Sequence, residues 1–133
     1  MKFVVILNKR HDLGAMASAL GHVVAGVTST IDRREGCFVT YKDADGESYP
    51  NISEWPLIVL RASSAQMKSS RKKLINAELP SACYLNTMFS GGSIAQQAAT
   101  AKTKSEEVEL IALATFGGSE LVDAICKKHS LWR

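Results

Sequence analysis

The sequence predicts a layered α/β protein with a mostly parallel sheet. Short apolar runs alternate with helix-type segments along the 133 residues, which is the order that helical crossovers between parallel strands produce. The composition is globular, with 46% hydrophobic and 22% charged residues. No linker, repeat or low-complexity stretch interrupts the pattern, so we expect a single domain over residues 1–133.

Four apolar segments are predicted as core strands: residues 3–7, 56–60, 81–85 and 108–116. The first reads FVVIL without interruption, which is typical of a strand covered on both faces. Ahead of the second strand, the sequence alternates on either side of Asp45-Gly46, a strong hairpin signal. We therefore expect a β-hairpin insertion near residues 37–52.

Helices are predicted between and after these strands. The first covers residues 14–29 and has an apolar stripe at helical spacing. The second begins with a capping box formed by Ser63 and Gln66, and the third begins with the same pattern at Ser93 and Gln96. A fourth helix follows the last core strand, which completes the alternation.

Charge and cysteine content argue against several classes of function. The net charge of +3 is too small for a dedicated nucleic-acid-binding surface. Cys37, Cys83 and Cys126 follow no ligand or redox spacing, so we expect reduced, packed thiols and no metal site. No secretion signal or membrane-length apolar run is present. We therefore expect a cytoplasmic protein that is not bound to a membrane and carries no cofactor.

Two loops hold the residues that could bind a ligand or take part in a reaction. Ligands of open α/β sheets bind beyond the carboxyl ends of parallel strands, and residues 8–14 and 86–93 follow two of the predicted strands. Each loop leads into a helix whose first N–H groups could bind an anion, near Gly14 or near Ser93. Neither glycine-rich nucleotide fingerprint is present, and glycines before a helix usually form only a turn.

His22 on the first helix has two possible roles. A histidine among alanines is more often a packed, hydrogen-bonded residue than a catalytic one. Ser18, one turn earlier, is poorly placed for a nucleophile, so a catalytic triad is not supported. His11 and Asp12 are typical of a solvated corner, because a metal site would need further ligands.

The order of these elements resembles the type II peptidyl-tRNA hydrolase fold. The similarity covers nearly the whole chain and lies in KFVVILN, the helix with its GH pair, PLIVLRA, LPSACYL and the closing LIALATFGGSELVDAICKKHSLWR. It is closest to an uncharacterised bacterial branch of that superfamily, a group of domains of unknown function. The resemblance implies a three-layer α/β/α fold with a four-stranded mixed sheet, the last strand antiparallel and next to the first. It also implies a homodimer.

The hydrolase site carries over onto this chain only in part. The first helix of the family bears a lysine, a glutamine and a histidine, and the matching positions here are Ala15, Ala19 and His22. The family's aspartate after the third strand falls on Asn86, and its threonine falls near Ser90. Losing one group that stabilises transition-state charge typically costs ~10²–10³ in rate, so ordinary peptidyl-tRNA hydrolysis is not expected.

We expect instead a remodelled site that binds a small ligand or catalyses an unidentified reaction. The candidate catalytic residues are His22, Asn86 and Ser90. The expected ligand-binding set is Asn8, Lys9, Ala15, Ala19, His22, Asn86, Thr87 and Ser90. Two alternatives stay open: residual peptidyl-tRNA hydrolase activity, with tRNA held on the basic residues 68–73, or a non-catalytic homodimeric interaction module.

Overall fold

A five-stranded mixed sheet organises the protein, and the computed structural model describes all of residues 1–133. The strands are β1 (Lys2–Asn8), β2 (Phe38–Lys42), β3 (Ser48–Ser53), β4 (Leu57–Ala62), β5 (Ser81–Leu85), β6 (Leu110–Gly117) and β7 (Ser130–Leu131). The helices are α1 (Leu13–Thr28), α2 (Ser64–Asn76), α3 (Ser93–Ala101) and α4 (Ser119–Cys126), with one 3-10 turn at Asn86–Met88. Strands β2 and β3 form the predicted hairpin as a separate two-stranded sheet.

The main sheet has the order β5-β6-β1-β4-β7, and β1–β4 is its only parallel pair. The expectation of a mostly parallel sheet is therefore wrong, because β6 inserts between β5 and β1 in the antiparallel direction. That antiparallel position beside β1 is the one the family resemblance implied. The expected count of four strands is also wrong, since β7 pairs with Leu60 and Arg61 as a fifth strand.

Helices cover both faces of the sheet, so the fold has three layers. Alternation along β1 divides its side chains, with Val5 packed in the core beneath α1 and Ile6 in the core beneath α2 and α4. The α1 face buries Met16, Ala19, Val23 and Val27 of that helix, and the opposite face buries Met67, Leu74, Val122 and Ile125 of α2 and α4. The central strands are consequently apolar on both sides, as their sequences predicted.

The two predicted capping boxes have different outcomes. At α2, the Ser63 side chain accepts from the Gln66 backbone N–H and the Gln66 side chain accepts from the Ser63 backbone N–H. At α3 the prediction is wrong, because Gly92 is the N-cap and Ser93 is already helical. The Gln96 side chain instead donates to the carbonyl oxygens of Met88 and Gly91, 3.0 and 2.9 Å away.

Helix α1 approaches strand β5 most closely at Gly26. A Cβ atom at this position would lie only 2.8 Å from the Cβ atom of Ala82, so both residues must be small. Gly21 on the same helix differs, since an added Cβ there would have nothing within 4 Å. Helix packing therefore requires the glycine at position 26 and not the one at position 21.

Candidate functional site

The two loops singled out in the sequence lie at the same edge of the sheet. Strands β1 and β5 both run antiparallel to β6, so their carboxyl ends point in one direction. The start of β6 lies at this same edge. Side chains that follow β1 and β5, together with those that precede β6, can therefore meet there.

Asn8 forms the centre of a polar cluster at this edge. Its side chain is fully buried, and its amide nitrogen donates to the Leu110 carbonyl oxygen at 2.8 Å and to Ser64 Oγ at 3.0 Å. Its amide oxygen accepts from the Arg10 backbone N–H at 3.1 Å. Asn8 thus ties the first loop to α2 and β6, and it does so on the face of the sheet opposite α1.

Glu109 is the charged member of this cluster, and the sequence analysis missed it. Its carboxylate oxygen accepts from Ser64 Oγ at 3.0 Å and from Asn8 at 3.2 Å. The same oxygen lies 3.6 Å from Arg10 and from Nε2 of His11. His11 is therefore not the solvated corner that was expected, because its Nε2 atom is buried and has no hydrogen-bond partner. Only the strand order, which places the start of β6 beside the end of β1, could have revealed this cluster.

The amino terminus of α1 is occupied by the protein's own carboxylate. Asp12 is the N-cap, and its Oδ1 atom accepts from the backbone N–H of Ala15 at 2.9 Å. An external anion would have to compete with this cap. Ala15 is exposed, whereas Ala19 is fully buried against the sheet, so Ala19 cannot contact a ligand as the expected binding set required.

An open groove of about 460 Å³ lies on the α1 face, between α1, β5 and the start of α3. Val23, Gly26 and Ala82 form its apolar floor. The exposed ring of His22 and the ring of Tyr84 lie 5.5 Å apart with a 33° tilt and form one wall. The polar groups at its margin come from Ser93 and Gln96 of α3.

Of the predicted ligand-binding residues, only His22 lines this groove. Asn86 binds the backbone ahead of β6, accepting from the Glu109 N–H at 3.0 Å. Thr87 is hydrogen-bonded to Thr100 of α3 at 2.6 Å. Lys9 and Ser90 are exposed. Tyr84 and Gln96, which the sequence analysis did not propose, enter the groove because β5 and α3 flank α1 in space.

The basic residues of α2 do not form one face. Lys68 and Arg71 line a cleft against β5 and the segment before β6. Lys73 lies instead toward the carboxyl-terminal side, where its charge acts on Cys126 and His129. A nucleic-acid backbone would therefore meet these cations on different sides of the helix.

The cysteines are all free. Burial is the main cause that raises the pKa of the Cys126 thiol to about 11, and burial likewise raises the pKa of Cys83. Both thiols are therefore protonated at neutral pH, which makes them weak nucleophiles. No group of three or more histidine, cysteine, aspartate or glutamate side chains is placed to hold a metal ion. No helix has the length and apolarity required to cross a bilayer.

These features define an α/β protein with a five-stranded mixed sheet, a separate hairpin and a groove beside its first helix. The chain belongs to the DUF2000 family, described as a protein of unknown function, and the match covers residues 1–133. It is similar to the solved structure of Atu0240, a protein of unknown function from Agrobacterium tumefaciens strain C58. The TM-score is 0.85 at 18% identity, over 99% of this chain and 97% of that one; such a likeness shows the fold. No curated protein matches the chain.

Proposed function

We propose that this DUF2000 protein is a relative of the type II peptidyl-tRNA hydrolases whose remodelled site binds a small ligand beside His22. The observation that carries this proposal is the groove of about 460 Å³ between α1, β5 and α3. Its volume lies within the roughly 300–1,000 Å³ that is usual for small-molecule sites. It combines an apolar floor with a few polar groups at the margin, which is the common composition of such sites.

The side chains around the groove favour a flat, uncharged ligand. No lysine, arginine, aspartate or glutamate lines it, so a charged ligand would lose hydration without gaining an ion pair. The tilted rings of His22 and Tyr84 offer a surface on which a planar group can stack. The Ser93 hydroxyl and the Gln96 amide can bind the polar edge of such a molecule.

A native mass spectrum tests this proposal. Purified protein is incubated with the small-molecule fraction of a cell extract, and we expect a non-covalent mass adduct on the wild type. Ser93→Trp places an indole at the groove and removes the adduct. Ser69→Trp, an exposed serine on α2, keeps it and is the matched control. A wild type without an adduct, or an adduct that persists in Ser93→Trp, contradicts the proposal.

Residual peptidyl-tRNA hydrolysis is the second candidate, and the exposed His22 is the observation in its favour. The residues at the other positions of the hydrolase site argue against rapid hydrolysis. Ala15 has no charge to offer, Ala19 is buried, and the Asn86 amide is held by backbone groups. We expect a blocked aminoacyl-tRNA in low salt to be released at the rate seen in buffer alone. Release that is faster, and that His22→Ala abolishes, would establish this activity.

We also propose the homodimer that the family resemblance implies. The hairpin outside the main sheet supports it, because Tyr41, Tyr49 and Ile52 there are 54%, 52% and 54% exposed. A two-stranded hairpin gains little stability by itself, so a second copy packed on these side chains would stabilise it. Sedimentation equilibrium tests this: we expect a dimer for the wild type and a monomer for Tyr41→Ser/Tyr49→Ser. A monomeric wild type at micromolar concentration contradicts it.

A further inference from the structure

A second cleft, of about 400 Å³, lies on the face of the sheet opposite the His22 groove. It is bounded by α2, by β5 and by the segment that leads into β6. Its apolar surface comes from Leu85, Val108 and Leu110. Two cationic side chains, Lys68 and Arg71, lie along its α2 side. An apolar floor beside positive charge is a combination that the His22 groove lacks.

Neither cation of this cleft has an anionic partner. The ion pairs of the protein involve Lys2, Arg10 and His11, and none involves α2. The Lys68 ammonium donates to the backbone carbonyl of Glu106 at 3.2 Å and lies 3.5 Å from that of Ser105. It therefore fixes the segment before β6, which forms the side of the cleft opposite α2. The guanidinium of Arg71 lies beside the Cys83 thiol, which is a neutral neighbour at pH 7.

The charge pattern identifies what such a cleft can bind. A guanidinium pairs with a carboxylate through two parallel hydrogen bonds, which an ammonium cannot match. The apolar surface next to it gains free energy by covering hydrocarbon. A ligand that satisfies both requirements carries a negative charge at one end and an alkyl or aryl body at the other.

We propose that this cleft binds a small amphipathic carboxylate, with the carboxylate on Arg71 and the hydrocarbon body on Leu85, Val108 and Leu110. Lys68 adds positive charge at the same end and fixes the wall formed by residues 105–106. The cations and the apolar residues of this cleft line no part of the His22 groove, and Cys83 on the edge strand β5 is the one residue that lines both.

Octanoate, octylammonium and acetate are suitable probes, titrated calorimetrically into the full-length protein. We expect octanoate to bind and the other two to bind at least tenfold more weakly, because octylammonium has the wrong charge and acetate has no hydrocarbon body. Arg71→Gln should weaken octanoate binding by roughly tenfold or more, the usual effect of losing a charge-assisted hydrogen-bonded pair. Ser105→Glu, which adds a negative charge at the exposed rim, should weaken it as well.

Two controls make the result specific. Lys72→Gln removes an exposed cation of the same helix that does not line the cleft, and it should leave the octanoate affinity unchanged. In the Ser93→Trp variant, whose groove is blocked, octanoate should also slow the alkylation of Cys83, which lines both the cleft and the groove, without slowing that of Cys37. Equal affinity in the wild type and Arg71→Gln, or equal protection of both cysteines, overturns the proposal. Ser93→Trp should leave octanoate binding intact, which separates this site from the groove.

Discussion

The contact between Gly26 and Ala82 allows the packing of α1 on β5 to be tested with a matched pair of substitutions. Gly26→Ala adds one methyl group where the α1 backbone crosses the strand, and Gly21→Ala adds the same group on the open side of the same helix. Both changes replace a helical glycine by alanine, so both gain the same intrinsic helix stability of about 1 kcal/mol. The difference between them isolates the steric contact.

The expected magnitude follows from the geometry. The new Cβ atom at position 26 would lie 2.8 Å from the Cβ atom of Ala82, a side-chain atom that is bonded directly to the β5 backbone and cannot rotate away. Overpacking of this kind costs about 1–3 kcal/mol. Gly21→Ala meets nothing within 4 Å. We therefore expect Gly21→Ala to be the more stable variant by about 1–3 kcal/mol.

Urea unfolding followed by circular dichroism measures this difference. The double variant Gly26→Ala/Ala82→Gly removes the opposing methyl group, and we expect it to recover stability beyond the sum of its single changes. Part of that gain is offset, because a glycine within a strand costs about 0.5–1 kcal/mol. If Gly26→Ala is as stable as Gly21→Ala, the close approach of α1 to β5 is not as described.

Two further predictions concern a helix cap and a half-buried histidine. Only Ser63 caps its helix with a side chain, so Ser63→Ala should lower the free energy of unfolding by about 1 kcal/mol and Ser93→Ala by less than about 0.5 kcal/mol. Thermal unfolding measures both changes, and equal losses of stability would contradict the assigned caps. Burial is the main cause that lowers the pKa of His129 below its ordinary 6.5, and the charge of Lys73 lowers it further. At pH values between the lowered pKa of the folded protein and the ordinary pKa of the unfolded chain, the unfolded chain therefore binds more protons than the folded one. The free energy of unfolding should therefore fall as pH drops from 6.5 through the lowered pKa, and His129→Gln should flatten this part of the curve; an identical pH profile would refute the assignment.

Local signals in the sequence predicted the local structure well. The apolar run of β1, the hairpin around Asp45-Gly46 and the cap at Ser63 depend on residues that are close in the chain. The cap at Ser93 failed because Gln96 found acceptors on a neighbouring segment, the carbonyls of Met88 and Gly91. Strand β7 escaped prediction because two residues are too few to show a period.

The candidate site was less predictable, because strand order decides which side chains meet. The polar cluster of Asn8, Ser64 and Glu109 joins three distant parts of the chain. None of these residues belongs to a recognisable motif, so no spacing indicates their contact. The groove likewise depends on Tyr84 and Gln96, which come near His22 because α1 packs on β5 and α3 borders the same space. His22 was found because it is the one imidazole on an otherwise small-residue surface.

The position of β6 in the sheet has a consequence for the order in which the chain can fold during synthesis. Strand β1 can pair with β4 as soon as the first half of the chain has left the ribosome, whereas its other neighbour, Leu110–Gly117, is made near the end. Strand β5 has no sheet partner until then, since β6 is its only neighbour. Contacts of such long sequence separation form slowly. The nascent protein therefore exposes a row of unpaired backbone groups on β1 until the last strands emerge, and this interval is when it most needs protection from aggregation.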